Sequence, residues 1–124
     1  MIMPLRLLAV PAIALLAAAP AMAQSEDFTR FQFNTTMRDY NHEVDEIADL
    51  QRQMEGERDR DTGCSLLHRT VYHVEKIRDM AADLARYAYS LDMPDAYDTF
   101  VEKHGFYGEY LDALNADIDR MCSN

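Results

Sequence analysis

Glycine, proline and cysteine are all scarce here. The 124 residues hold four glycines, four prolines and two cysteines, and three of the prolines fall within the first 20 positions. Beyond them the only breakers are Gly56, Gly63, Gly105, Gly108 and Pro94. Strict alternation of β-branched and polar residues is missing too, which argues against a sheet. Cys-x-x-Cys is absent, and with it the usual thiol-oxidoreductase motif. Cys-x-x-Cys-His is absent, which excludes covalent haem attachment of the c type. Neither His-Glu-x-x-His nor a glycine-rich phosphate loop occurs, so the common zinc-peptidase and nucleotide-binding signatures are missing. Positive charge is also short: 12 Lys and Arg stand against 22 Asp and Glu, a formal charge of −10. Such a surface repels nucleic acid and anionic lipid.

What is present begins with an export pattern. Arg6 precedes an apolar run from Leu7 to Ala19, and Pro20 is followed by Ala21-Met22-Ala23, with alanines at the −3 and −1 positions of a signal-peptidase site. The run is shorter than the roughly 20 residues a membrane span needs, and Pro11 interrupts it. Residues 1–23 therefore read as a cleaved secretory signal. Residues 24–124 read as one periplasmic or secreted bacterial domain with no membrane span after cleavage. Losing Arg6 takes the formal charge from −10 to −11.

The remaining chain is patterned for helices. Apolar residues recur in steps of three and four through three segments. The first seam runs Phe33, Met37, Tyr40, Val44, Ile47, Gln51, Met54. The second runs Leu67, Thr70, Val74, Ile77, Ala81, Leu84, Ala88, Leu91. The third runs Ala96, Phe100, Lys103, Tyr107, Tyr110, Leu114, Ile118, Met121, with Lys103 interrupting it. The polar stretch Glu55–Gly63 separates the first two, with Asp61 or Thr62 available as a cap. Pro94 suits a first helical position, and Asp95 and Asp98 put negative charge in the first turn. The expected fold is all-α: an antiparallel up-down-up three-helix bundle with helices near 26–56, 63–91 and 94–122.

That fold gives the cysteines a role. Cys64 and Cys122 lie at equal distances on either side of Met93, the proposed turn. Folding there brings the start of the second helix beside the end of the third. In an oxidising compartment the two thiols should form a disulfide joining helices 2 and 3, with Cα atoms about 4.4–6.8 Å apart. Free thiols and bridges to another chain are the alternatives.

No catalytic constellation stands out, and an enzyme is not expected. Ser65 and His68 lack an orienting acid. His42, His68, His73 and His104 are not expected to converge: His42 is expected opposite the region of Ile77, and His104 near Ala82. His42 and Glu46, flanked by Asp39 and Glu43, make at most a weak surface metal site, and no metal or cofactor is assigned. Non-covalent haem would need Met37, Met54 or a core histidine. Phe28, Phe31 and Phe33 are expected to plug the core near the second turn, with an exposed anchor for a partner as the alternative. Gly105 and Gly108, inside a helix and beside Phe106, Tyr107 and Tyr110, break the local rule, and close helix approach or a kink is expected there. The function expected is non-enzymatic protein–protein interaction, with an unknown partner or a second copy of the chain. The alternative is a small-molecule, metal or haem carrier.

Overall fold

The computed structural model describes residues 3–123, with side chains from Ser25 to Ser123. Three helices follow one another: α1 (Met3–Gly56), α2 (Arg60–Ser90) and α3 (Pro94–Met121). They form the antiparallel bundle that the seams imply. The helix α1 begins well before residue 26; from Gln24 to Phe33 nothing breaks it, and Thr29 Oγ1 donates back to the Ser25 carbonyl at 2.9 Å. The expected signal segment falls among residues whose side chains lie outside those described.

The ends of α2 are set locally. Its N-cap is Asp59, not Asp61 or Thr62. The Asp59 carboxylate accepts from the Thr62 N–H at 2.9 Å and from the Thr62 hydroxyl at 2.8 Å, which starts the helix at Arg60. These bonds hold the Asp59 carboxyl below its usual value. At the other end Asp92 adopts the left-handed conformation, with φ 55°. The Met93 N–H reaches the Ala88 carbonyl at 2.9 Å and the Asp92 N–H reaches that of Tyr89 at 3.2 Å. This is a Schellman ending with aspartate where glycine is usual. Pro94 then opens α3.

Helix α2 is the central element. Thr70, Val74, Ile77, Ala81, Leu84 and Ala88 are fully buried along it. Its small Ala81 and Ala85 share the turn-proximal half with Phe100 of α3 in one core. Among the described residues, no Cα of α1 comes within 8 Å of one in α3. Those two helices meet through long side chains instead. The Phe100 ring stands edge-on to Phe33 at 6.4 Å and to Tyr40 at 5.5 Å between centroids, Tyr40 meets Tyr107 at 6.4 Å, and Gln51 Nε2 donates to the Tyr110 hydroxyl at 2.8 Å. Burial, reinforced by the neighbouring Tyr107, pushes the Tyr40 phenol well above its usual value.

The first seam is shifted from expectation. Val44 and Gln51 are exposed, and Glu43 and Leu50 take their places in the interior. The stripe steps by three after Tyr40, not four. Lys103 and Met121 of the third seam are exposed, and Leu111 is buried.

The cysteines meet as the hairpin requires. Cys64 and Cys122 form a disulfide with Cα atoms 5.7 Å apart. Beside it Arg60 Nε donates to the Met121 carbonyl at 2.7 Å, so a cation from the first turn of α2 caps the last turn of α3.

Gly105 and Gly108 do not mark a close approach within the chain. The helix α3 runs through both, and a methyl group built on either meets nothing within 4 Å. Each therefore weakens the helix without a packing return. Gly105→Ala and Gly108→Ala should each add about 1 kcal/mol, so the double variant should melt roughly 10 °C higher. Circular dichroism melts check this.

Candidate functional site

Two features stand apart from ordinary helix packing. The first is a face of the α2–α3 hairpin that nothing covers among the described residues. Ala82 and Ala85 form its floor on α2, with Tyr89 and Arg86 beside them; Tyr97, Val101 and His104 line it from α3, around an open groove of about 480 Å³. Residues 82, 85 and 89 follow helical spacing, as do 97, 101 and 104, so each set is one stripe. Ala82 lies about 180° round α2 from His73, which faces α1, so the groove is on the side away from α1. Tyr89 is 76% exposed, and its ring meets that of Tyr97 at 5.8 Å between centroids. A second hollow continues past these tyrosines to Met93 and Pro94 at the turn.

The second feature is a buried charge cluster between α1 and α2. Glu43 is only 2% exposed. Its Oε2 lies 2.6 Å from His73 Nδ1 and its Oε1 lies 3.1 Å from Lys76 Nζ. An ionised carboxylate can only accept, so His73 must carry its proton on Nδ1. Burial pushes the Glu43 carboxyl up, but hydrogen bonds from His73 and Lys76, and their charge, outweigh it and hold the group below its ordinary value. The Lys76 ammonium is pushed up by the same hydrogen bond and charge. Among the described residues no buried side-chain nitrogen or oxygen lacks a partner. The cluster is a satisfied polar contact, reached by solvent on its His73 and Lys76 side.

The four histidines are dispersed. His42 is exposed and reaches Glu46 at 3.7 Å, His68 is exposed, His73 belongs to the buried cluster, and His104 lines the groove with Ala82, its expected neighbour. Glu43, read as part of a surface metal patch, turns inward instead, because two donors on α2, His73 and Lys76, await it. Among the described residues no three metal-ligating side chains come together. Met37 and Met54 pack against the core.

The expected phenylalanine plug is not formed. Phe33 packs on Phe100, but Phe28 and Phe31 are 60% and 66% exposed. Positions two and five before Phe33 lie about 160° and 140° away from it around the helix, which turns them outward. Phe106 is also exposed, with the Lys103 ammonium 5.8 Å from its ring centroid. Together with Val44, Tyr107 and Gln51 it edges a smaller hollow between α1 and α3.

No protein-family model matches the chain, and no curated protein or solved structure matches it either. Among the described residues, no helix is long and apolar enough to cross a membrane; the apolar run of residues 7–19 lies outside that statement.

Proposed function

We propose that this is an exported, acidic, non-enzymatic helical protein that works by binding another protein in the periplasm or outside the cell. The observation that carries this reading is the uncovered face of the α2–α3 hairpin. Two helices packed side by side present a shallow apolar trough that a further helix would fill, and α1 occupies only the opposite side. Exposed tyrosines around small residues are the composition of a contact surface. The export pattern at residues 1–23 and the Cys64–Cys122 bridge support the compartment.

A photo-crosslinking residue placed at Val101, in protein expressed in its native host, should give discrete heavier bands. The same group placed at exposed His68, off the face, should not. A strict monomer that yields no adduct at Val101 would overturn the reading. The carrier alternative rests on the same groove, with His104 and Arg86 at its edge. A stoichiometric metal, or a Soret band in protein purified from the native host, would favour it.

A further inference from the structure

On the reading that the α2–α3 face is a protein-binding surface, we infer that its occupant is a cationic amphipathic helix of a different protein, about four turns long, and not a second copy of this chain. The charge around the trough points to this. Its own cations are already engaged: Arg86 reaches Asp83 at 2.8 Å, and Arg78 reaches Asp79 at 3.5 Å. Glu75, Asp98 and Asp112 are exposed and make no ion pair among the described residues. None of the three lines the groove itself; helical spacing puts them at its rim. Glu75 precedes Ala82 by seven and so extends the Ala82–Tyr89 stripe; Asp98 precedes Val101 by three; Asp112 follows Gly108 by four, and Gly108 follows Val101 by seven. The result is an apolar strip with uncompensated carboxylates beside it and at its far end.

With residues 1–23 cleaved, a second copy would bring a formal charge of −11 against −11, and like charges along one seam oppose pairing. A helix with an apolar stripe and lysine or arginine on its flanks satisfies both parts of the surface at once. From Tyr89 to Glu75 the trough spans 14 residues of α2, about 21 Å at the rise of an α-helix, which sets the length of the occupant. Gly105 and Gly108 fit this arrangement. Their absent side chains leave open space beside Val101 where a neighbouring backbone would pass.

The test uses the protein with two labelled synthetic peptides of roughly 15 residues. One carries leucines at three- and four-residue spacing with lysines elsewhere. The other replaces every lysine by glutamate. Fluorescence anisotropy should show saturable binding of the lysine peptide, weakened as salt rises from about 50 to about 500 mM, and no binding of the glutamate peptide. Tyr89→Ser/Val101→Ser leaves the charge unchanged and should weaken binding at least about tenfold. Gly108→Trp, whose side chain enters empty space, should do the same. Unchanged circular dichroism would show both variants folded.

Equal binding by wild type and Tyr89→Ser/Val101→Ser would reduce the effect to charge alone and overturn the inference. So would binding of the glutamate peptide, or a dimer in sedimentation that the same double variant abolishes. Those last two results would leave the protein-binding reading standing. If neither peptide binds and Val101 crosslinks to nothing, both fall.

Discussion

Reducing the Cys64–Cys122 bridge, or replacing Cys64 by serine, should lower the melting temperature by roughly 15 °C. The bridge joins positions 58 residues apart, with Cα atoms 5.7 Å apart. In the chain-entropy account, closing a loop of that size restricts the unfolded chain by on the order of 4 kcal/mol. A domain of this length has about 5–10 kcal/mol in all. Nothing else fastens that end of the hairpin covalently; Arg60 on the Met121 carbonyl is the main polar contact left there. Thermal melts with and without reductant measure the effect, and thiol titration of the untreated protein should find no free cysteine. A shift of only a few degrees would mean that packing along α2 alone holds α3 in place.

The second large effect lies at the α1–α2 seam. His73→Leu should destabilise the protein by about 3 kcal/mol, because Glu43 keeps its buried charge with only Lys76 to meet it. Glu43→Leu combined with His73→Leu should recover most of that loss, since an apolar pair needs no compensation there. Chemical denaturation of the two singles and the double gives the coupling directly, and a double as unstable as the sum of the singles would contradict it. The pH dependence follows from the same contacts. Glu43 has a folded value below its ordinary 4.5, so its contribution is complete above pH 4.5 and is lost as pH falls through the folded value. Lys76 has a folded value above its ordinary 10.5, so its contribution is complete below pH 10.5 and is lost as pH rises through the folded value. Replacing Glu43 should flatten the stability profile at both ends.

Sequence spacing identified the bundle, the bridge and the α2 seam because each is a local or mirror-symmetric property. Every expected α2 position from Leu67 to Ala88 is buried, and only Leu91, at the cap, is half-buried. The α1 seam was misread for a physical reason. A glutamate counts as a surface residue until its partners are known, and His73 lies 30 positions away. One signal was present: Tyr40, Ile47 and Met54 are spaced by sevens, and Glu43 and Leu50 fit between them as well as Val44 and Gln51 do. Folding the chain about its first loop also carries Glu43 onto His73. The open face was less legible still. Tyr89, Tyr97 and Val101 interleave with buried residues, and spacing alone does not say which of two apolar stripes a neighbour covers. Gly105 and Gly108 suggested a close approach where there is open space.

The covalent loop runs from Cys64 to Cys122 and leaves α1 outside it. The first helix is joined to the rest by three residues of connection and by its packing, so it can swing away while the α2–α3 hairpin stays closed. Such a sub-global opening returns Glu43 to water, where its carboxylate is no longer desolvated, and this offsets part of the loss from uncovering Leu50 and Ile47. In hydrogen exchange the molecule should divide along that line. The amides of α1 should exchange through the cheaper opening, and those around Val74, Ile77 and Ala81 only when the whole chain unfolds.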